Sequence, residues 1–115
     1  MKYKIKMTRR ARIDLQGAVD YISFELFNPA AAEKLLDDFE EKMGELAECP
    51  EGCALVADSV LRSWGIRSVT IDHYLILYTV HEHTVCIVRF LHQRRDWKRL
   101  LRDEKKTNDG GINSF

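Results

Sequence analysis

The alternation of apolar and polar residues near the start of the chain predicts a β-strand. Residues 2–7 place Tyr3, Ile5 and Met7 on one face and three lysines on the other. A period of two residues is typical of a strand with one buried and one solvated face. Thr8 follows at once, and a threonine in this position is a good N-cap for a helix. The sequence therefore predicts a strand that leads directly into a helix.

Two amphipathic helices are predicted next, over about residues 9–27 and 29–48. Apolar residues recur there at spacings of three and four, which places them on one face of each helix. They are Ala11, Leu15, Ala18, Ile22 and Leu26 in the first helix and Ala32, Leu35, Leu36, Phe39, Met43 and Leu46 in the second. Asn28 and Pro29 separate the helices, since asparagine starts turns and proline suits the first helical position. We expect the two segments to form a helical hairpin.

Three further strands are predicted in the second half of the chain. A loop over residues 49–59 contains a proline and a glycine, and strand-like segments follow at 63–69, 73–80 and 84–91. Helices and strands do not alternate, so the order β-α-α-β-β-β favours an α+β fold over a parallel α/β fold. We expect an N-terminal strand, a helical hairpin and a three-stranded antiparallel continuation of the sheet. A short C-terminal helix should end near residue 102.

Length and composition indicate a single soluble domain. The apolar content of 45% and the charged content of 31% in 115 residues are ordinary for such a protein. No apolar run approaches the ~20 residues that span a membrane, and the N-terminus lacks the apolar block of a signal peptide. Three cysteines, an odd number, suit a reducing cytoplasm. We predict a cytoplasmic protein with one domain over residues 1–102 and a polar, disordered tail over residues 103–115.

Charge is divided along the chain although the net charge is zero. Residues 1–12 contain six Lys or Arg and no acid, whereas residues 14–51 contain eleven acids and two lysines, a net charge of −9. Residues 88–106 contain eight Lys or Arg and three acids, a net charge of +5. An acidic body and a basic face could steer an anionic partner, or the opposite charges could simply solvate different surfaces.

Several common reaction sites find no support in the sequence. Cys49 and Cys53 have no second pair at zinc-ligand spacing. His81, His83 and Cys86 fall at a hairpin, where their side chains diverge. The chain has no glycine-flanked serine elbow and no glycine-rich phosphate loop between a strand and a helix. We therefore expect no metal site and no cofactor.

The stretch "RFLHQRRDWKRLL" near the end of the chain holds the remaining candidate chemistry. Arg94 and Arg95 carry planar guanidinium groups that suit phosphate or carboxylate, and His92 can exchange protons near neutral pH. The same stretch also fits a plain helix start, in which Asp96 complements the helix dipole and Trp97 packs the helix on the sheet. Both interpretations stay open, although two adjacent guanidinium groups repel each other and need compensation.

Taken in order, the segments resemble the RelE/ParE superfamily, the toxins of type II toxin–antitoxin modules. The opening "YKIKMTRRARIDLQGAVDYI" is similar to the family's first strand and helix, and "NPAAAEKLLDDFEEKMGELAECPEG" to its second helix and exit. "HYLILYTV" and "VCIVRFLHQRRDW" resemble the third strand and the closing segment. The resemblance covers nearly all of residues 1–102 and implies a helical hairpin packed on a curved antiparallel sheet.

The resemblance also implies partners and two alternative activities. A cognate antitoxin would wrap the bacterial toxin and block it, in a toxin–antitoxin heterotetramer or with the toxin as a homodimer. ParE-like members poison DNA gyrase, which inhibits growth and stabilises plasmids, and they need no nuclease residues. RelE-like members are metal-independent endoribonucleases that cut mRNA in the ribosomal A site. A third hypothesis is a decayed toxin that acts only as a binding partner.

Residue by residue, the resemblance favours the ParE-like activity. The RelE pattern has an arginine after the third-strand tyrosine and a tyrosine in the last helix, where this chain has Leu75 and Leu100. A sequence pI near 6.9 also suits a ribosome-binding nuclease poorly, because phosphate contacts dominate the affinity of such enzymes. For a nuclease, the catalytic candidates would be His92, Arg94 and Arg67.

The candidates for contact with the target or the antitoxin lie at the end of the last strand. They are Arg89, Arg94, Arg95, Asp96 and Lys98. The strand would deliver the paired arginines to the sheet edge, within the basic region over residues 89–106. Guanidinium groups bind carboxylates in a bidentate manner, so an antitoxin would neutralise them with acidic side chains or its C-terminal carboxylate.

Overall fold

A four-stranded sheet and a helical hairpin make up most of the described chain. The computed structural model describes residues 2–107. Within this range the elements are β1 (Lys4–Met7), α1 (Arg9–Asp20), α2 (Pro29–Glu48), α3 (Ser59–Ser63), β2 (Arg67–Ile71), β3 (Tyr74–His81), β4 (Thr84–His92) and α4 (Trp97–Thr107). A π-helical turn, Tyr21–Glu25, continues α1, and a 3₁₀ turn, Pro50–Gly52, follows α2.

The α+β fold predicted from the sequence is confirmed. The strand order is β1-β4-β3-β2, in which β2, β3 and β4 form an antiparallel meander. β1 lies beside β4 and runs parallel to it, with Lys4 opposite Thr84 and Met7 opposite Ile87. The sheet is therefore mixed rather than purely antiparallel. Alternation of apolar residues shows which face of a strand is buried, but it does not show the direction of the neighbouring strand.

A β-bulge interrupts the pairing of β3 with β4. Leu77 lies opposite Arg89, whereas the next residue, Tyr78, lies opposite Ile87, so Val88 is an extra residue in β4. The bulge shifts the register by one residue, and such a shift exchanges the two faces of a strand. Consequently every residue of β4 after the bulge faces the side opposite to the one that simple alternation from Ile87 predicts.

Both helices of the hairpin begin at capped positions. Thr8 Oγ1 accepts a hydrogen bond from the Ala11 amide at 3.0 Å. Asn28 Oδ1 accepts one from the Ala31 amide at 3.1 Å. Each cap satisfies a helix N–H that has no partner within the helix. The predicted bounds of the second helix are confirmed, with Pro29 at its first position, whereas the first helix ends earlier than predicted, in the π-helical turn.

The larger core lies between the hairpin and one face of the sheet. Its buried members are Ala11, Ala18, Leu35, Phe39, Leu46, Ile71, Ile76, Tyr78, Val85, Ile87 and Phe90. Two residues of the predicted helix stripes, Leu26 and Leu36, are exposed instead. The Tyr78 hydroxyl is satisfied in this core, where it donates to the Pro50 carbonyl at 2.7 Å. Burial raises the pKa of Tyr78 well above its ordinary value, so the phenol stays neutral.

The segment before the meander folds differently from its prediction. Ser59–Ser63 forms α3, where the sequence predicts the end of a loop and the start of a strand. β2 accordingly occupies Arg67–Ile71 instead of residues 63–69. The cause is Asp58, whose carboxylate accepts hydrogen bonds from two amides of α3 at 3.0 and 3.1 Å. A side-chain cap of this kind stabilises a helical turn even when the turn is short.

A smaller core lies on the opposite face of the sheet, under α3 and α4. Its buried members are Val56, Leu61, Ile66, Leu77, Leu91 and Leu101. Trp97 and Leu100 are half-buried at the margin of this core, whereas Leu101 is fully buried. Arg102 of α4 donates to the Asp58 carboxylate at 2.9 Å, which joins α4 to the start of α3.

The last helix is longer than predicted. α4 ends at Thr107 instead of near residue 102. The sequence predicts a disordered tail over residues 103–115. Residues 103–107 belong to α4, and residues 108–115 lie outside the described residues. Its disorder stays a prediction.

We expect Leu101, rather than Trp97, to anchor α4. Leu101→Ala should lower the free energy of unfolding by about 2–5 kcal/mol, because it removes a fully buried side chain. Trp97→Ala should cost less, since Trp97 is only half-buried. Urea denaturation measures the free energies of unfolding of both variants and thus which residue contributes more. The control is Leu36→Ala at an exposed position, which should cost about 0.5 kcal/mol or less. A larger loss for Trp97→Ala than for Leu101→Ala would contradict this assignment.

Candidate functional site

A cleft of about 450 Å³ opens where the hairpin meets the end of the sheet. The π-helical turn and the start of α2 form one wall of the cleft. The β2–β3 turn and the end of β4 form the other wall. The lining residues of the cleft are Tyr21, Ile22, Leu26, Asn28, Ala31, Lys34, Leu35, Asp72, His73, Tyr74 and His92. We name it the histidine cleft, after His73 and His92. Several hydrogen-bonding groups thus converge on a largely apolar cavity, which is the usual composition of a ligand site.

Strand pairing places the aromatic and imidazole rings of the cleft side by side. Tyr74, the first residue of β3, lies opposite His92, the last residue of β4. The Tyr74 ring stacks on Phe90 with centroids 4.9 Å apart and meets His92 edge-on at 5.3 Å. His73 stacks on His92 with centroids 6.1 Å apart. The His73 carbonyl also accepts a hydrogen bond from the Gln93 amide at 2.8 Å, which holds the β2–β3 turn against the end of β4.

The backbone determines which nitrogen of His92 carries the proton. The Arg94 amide donates to His92 Nδ1 at 3.1 Å, so Nδ1 is the acceptor of the neutral imidazole. The proton of the neutral ring therefore lies on Nε2. Any proton exchange with a ligand must use Nε2, because Nδ1 is already engaged by the backbone.

Two other polar groups of the cleft, Tyr74 and Lys34, retain their protons. Burial raises the pKa of Tyr74, and the nearby Tyr21 and Asp72 act in the same direction, so the phenol stays neutral. Lys34 donates to Asp38 at 2.7 Å and lies 3.8 Å from Asp72. The hydrogen bond and the charge of Asp38 raise the pKa of the Lys34 ammonium. The cleft therefore offers a phenol donor and a paired cation beside its two imidazoles.

Four of the five predicted contact residues lie at the surface beyond the cleft. Arg94, Arg95 and Asp96 are exposed in the turn between β4 and α4, and Lys98 is exposed in the first turn of α4. The Lys98 ammonium lies 5.6 Å from the centre of the Trp97 ring. All four side chains are accessible to a partner, and their contact role stays a prediction.

Arg67 lies far from His92, although the sequence analysis places both residues in one catalytic site if the chain is a nuclease. Arg67 is half-buried, and its guanidinium donates to the Cys53 carbonyl. On the sheet it lies opposite Tyr78, whereas His92 lies opposite Tyr74. Four residues of β3 separate these two positions, which corresponds to about 13 Å along the strand. The structure therefore does not bring Arg67 to His92, whereas Arg94, the third predicted catalytic residue, lies two positions beyond His92 and its amide contacts the imidazole.

Arg89 is part of a buried ion pair. Its side chain is about 7% exposed, and its guanidinium contacts the Asp14 carboxylate through Nε at 2.7 Å and Nη2 at 3.0 Å. Asp14 Oδ2 also accepts a hydrogen bond from the Phe90 amide at 3.1 Å. The structure assigns Arg89 to the packing of α1 on β4, in contrast to the contact role predicted from the sequence. Position in a strand alone could not reveal this, because the bulge determines which way Arg89 faces.

Sequence reasoning missed most residues of the histidine cleft. His73 lies in the β2–β3 turn and Tyr74 directly follows it, and an imidazole beside a tyrosine at a strand end was a usable signal. Tyr21 and Lys34 carried no such signal, because they belong to different segments of the hairpin. They reach the cleft only through the packing of the hairpin on the sheet.

The hairpin turn beside the cleft exposes several large apolar residues, which we name the aromatic tip. They are Tyr21, Phe24, Leu26 and Phe27. Phe27 is 86% exposed and has a φ of +50°, a conformation that costs a non-glycine residue about 1–2 kcal/mol. Contiguous exposed apolar residues are typical of a surface that contacts another protein.

Within the described residues, no group of three or more His, Cys, Asp or Glu side chains is arranged to hold a metal ion. The three cysteines are free thiols. None of the described helices combines the length and the apolar character that crossing a membrane requires.

Comparison with known proteins identifies a family and related folds. A family model described as "ParE toxin of type II toxin-antitoxin system, parDE" matches residues 5–97. Among solved structures, a chain of the chromosomal ParDE toxin–antitoxin system from P. aeruginosa has a TM-score of 0.65 and 22% sequence identity, over 79% of this chain and 96% of that chain. A chain of the RelBE toxin–antitoxin complex from Mycobacterium tuberculosis has a TM-score of 0.56 and 22% identity, over 80% of this chain and 99% of that chain. No curated protein sequence matches significantly.

We expect the Asp14–Arg89 pair to be essential for stability. Asp14→Ala removes the carboxylate from a buried guanidinium and should lower the free energy of unfolding by about 3–5 kcal/mol. Glu45→Gln, in the exposed Lys42–Glu45 pair, should change it by less than about 1 kcal/mol. Urea denaturation of the two variants measures the difference. Equal effects would show that the Asp14 carboxylate does not hold α1 on the sheet.

Proposed function

The chain belongs to the family of ParE toxins of type II toxin–antitoxin systems, and we propose that it arrests bacterial growth by binding its target rather than by cutting RNA. The proposed target is DNA gyrase, which is the target that the ParE-like resemblance implies. The family model matches residues 5–97 and thus includes the hairpin, the sheet except for Lys4, and the first residue of α4.

The separation of Arg67 from His92 is the observation that carries this proposal. A metal-independent nuclease needs an acid, a base and a charge-stabilising cation around one scissile phosphate. Arg67 lies about 13 Å along the sheet from the level of His92 and is bound to a backbone carbonyl. Leu75 and Leu100 occupy the positions at which the RelE pattern has its arginine and tyrosine. The arrangement favours a binding protein.

The surfaces around the histidine cleft also favour a protein target. α2 lines one side of the cleft, and its exposed residues are strongly acidic within the segment 14–51, whose net charge is −9. Acidic surface repels the phosphates that dominate RNA affinity. The aromatic tip beside the cleft exposes Phe24 and Phe27, and aromatic residues of this kind are frequent energetic centres of protein–protein interfaces.

We propose further that a cognate antitoxin covers the exposed turn after β4. Arg94, Arg95 and Lys98 present three positive charges there, with Asp96 between them. Carboxylates of the antitoxin would make charge-assisted contacts with the two guanidinium groups. The ParDE and RelBE systems that share this fold are toxin–antitoxin systems, which supports an antitoxin partner for this chain. A cytoplasmic location and a homodimer or toxin–antitoxin heterotetramer stay predictions.

The second candidate function is a metal-independent endoribonuclease, and the histidine cleft is the observation that favours it. His73, His92 and Tyr74 lie together in one cavity of about 450 Å³. In RNA cleavage, a base takes the proton of the 2′-hydroxyl, the 2′-oxygen displaces the 5′-oxygen from phosphorus, and an acid protonates that leaving oxygen. Two imidazoles, or an imidazole and the Tyr74 phenol, could serve as this base and acid.

Expression of the chain alone should arrest growth and induce the DNA-damage response without cleaving transcripts. Gyrase poisoning leaves broken DNA, whereas a ribosome-dependent nuclease leaves cut mRNA, so both readouts are measured after induction from a tight promoter. A matched plasmid with a stop codon in the gene is the control, and co-expression of a neighbouring antitoxin should restore growth. Cut transcripts without DNA damage would favour the second candidate. Harmless expression of folded protein would contradict toxin function altogether.

Removing the two exposed arginines should separate binding from folding. The double variant Arg94→Gln with Arg95→Gln should stay within about 0.5 kcal/mol of the parent in stability, because both side chains are exposed. Each lost charge-assisted contact should weaken antitoxin binding by about 1.5–3 kcal/mol. The double variant Arg12→Gln with Arg62→Gln, at exposed positions of α1 and α3, makes the same change in net charge and is the matched control, which should bind as the parent does. Titration calorimetry measures the affinities.

Histidine variants then decide between the two candidate functions. His92→Ala and His73→Ala should leave toxicity intact in a gyrase poison, since no proton transfer is needed. A nuclease would instead lose transcript cleavage while it retained its antitoxin affinity.

Full antitoxin affinity in the double arginine variant would show that Arg94 and Arg95 form an ordinary helix start.

A further inference from the structure

Two cysteines flank the 3₁₀ turn that connects α2 to the rest of the chain. Cys49 directly follows the last residue of α2, and Cys53 is the first residue after the turn Pro50–Gly52. Both side chains are free thiols. We name this pair the turn dithiol. Neither cysteine belongs to the histidine cleft or the aromatic tip, and the proposed gyrase and antitoxin contacts do not use them.

The fold of the turn brings the Cys49 sulfur to the chain segment that enters Cys53. The Gly52 amide donates to the Cys49 carbonyl at 3.2 Å. A turn closed in this way keeps the Cα atoms of its first and fourth residues within about 7 Å. The Cys49 sulfur lies against Gly52, where an added Cβ would be only 3.2 Å from it. Disulfides span Cα separations of up to about 7 Å, so a bridge to the next residue, Cys53, requires only a local adjustment.

Contacts with the sheet hold the turn dithiol in place. The Tyr78 hydroxyl donates to the carbonyl of Pro50, between the two cysteines, at 2.7 Å. Burial raises the pKa of Tyr78, and the nearby side chains of Cys53 and Cys49 act in the same direction. Arg67 donates to the Cys53 carbonyl, so both β2 and β3 bind the turn. Two groups that a fold holds near each other react far faster than the same groups free in solution.

The two thiols differ in accessibility. Cys49 is exposed, whereas Cys53 is half-buried and packs at the margin of the larger core. A bulky reagent can therefore reach the Cys49 sulfur, while the Cys53 sulfur is placed to react with its neighbour. An exposed thiol beside a second thiol is the usual arrangement of a redox-sensitive cysteine pair.

The third cysteine, Cys86, cannot take part in this pair. It lies in β4 between Val85 and Ile87, which both belong to the larger core. Successive side chains of a strand point to opposite faces, so Cys86 points away from that core and from Cys53. Burial also raises the pKa of the Cys86 thiol, which lowers the fraction of the reactive thiolate. Cys86 thus provides an internal control.

We propose that Cys49 and Cys53 form a reversible disulfide by exchange with a small disulfide such as oxidised glutathione. The Cys49 thiolate attacks one sulfur of the small disulfide, which forms a mixed disulfide on Cys49 and releases one small thiol. The Cys53 thiolate then attacks the Cys49 sulfur, which closes the bridge and releases the second small thiol. The two protein thiols are oxidised, and the small disulfide takes up their two electrons and two protons.

The bridge would join the end of α2 covalently to the segment that leads into the sheet. It would form when the small disulfide is abundant and open again when thiols are in excess. Disulfides of this transient kind serve as redox sensors in reducing compartments. The inference goes beyond the proposed function, because it holds whether the toxin acts on gyrase or on the ribosome.

Mass spectrometry of the full chain, incubated with oxidised glutathione and then alkylated, tests the proposal. The parent should lose two hydrogen atoms within the tryptic peptide 43–62, which contains both cysteines of the turn dithiol. Cys86 should remain an alkylated thiol, and dithiothreitol should restore the other two thiols. The matched control, Cys86→Ser, should form the bridge to the same extent as the parent.

Single variants of the turn dithiol test the order of the two steps. Cys53→Ser should accumulate a glutathione adduct on Cys49, because no second thiol displaces the glutathione. Cys49→Ser should react about tenfold more slowly, because the remaining thiol is half-buried. Circular dichroism shows that each variant is folded, and the result for the parent does not depend on the variants.

Three results would overturn the proposal. A lasting glutathione adduct on Cys49 of the parent would show that the two thiols do not meet. A disulfide that includes Cys86, or one that links two chains, would show a different pairing. An unchanged mass in excess oxidised glutathione would show that the turn dithiol is inert. The readout is chemical, so a failure of the gyrase proposal would leave each of these results unchanged.

Discussion

The Asp14 carboxylate joins α1 of the helical hairpin to β4, and the packing of the hairpin on the sheet depends on this joint. β1 stops pairing with β4 at Met7, so the donors and acceptors farther along that edge of β4 need other partners. Thr8 donates to two β4 carbonyls, through its amide at 2.9 Å and its hydroxyl at 2.7 Å. Asp14 then accepts from the Phe90 amide and from two nitrogens of Arg89. Desolvation offsets much of the attraction in a buried ion pair, so the main effect of the contact is to fix geometry.

The bulge at Val88 determines what the sheet presents to the hairpin. Without the extra residue, Tyr74 would lie opposite Leu91, and His92 would face the smaller core. With it, His92 lies opposite Tyr74 and stacks on His73 in the cleft. β-Bulges commonly redirect side chains near functional sites in this way. Because of this one extra residue, the end of β4 places an imidazole in the histidine cleft and not in the smaller core.

The molecule divides its surface between the acidic helix α2 and two basic regions. The hairpin turn carries the aromatic tip, and α2 forms one wall of the histidine cleft. The two basic regions, at the start of α1 and in the turn after β4, expose guanidinium groups. Zero net charge therefore does not mean weak electrostatics, since fields at these distances depend on local charge.

The sequence by itself determined the features that rest on local interactions. The caps at Thr8 and Asn28, the helix stripes and the alternation in the strands depend on residues within a few positions of one another, and the family resemblance follows from their order. α3 was missed because a short capped turn leaves little periodicity. Only the tertiary structure decided the parallel direction of β1, the bulge at Val88 and the burial of Arg89 against Asp14. Those two residues are 75 positions apart, and a pattern read along the chain cannot encode a contact formed when distant segments pack together.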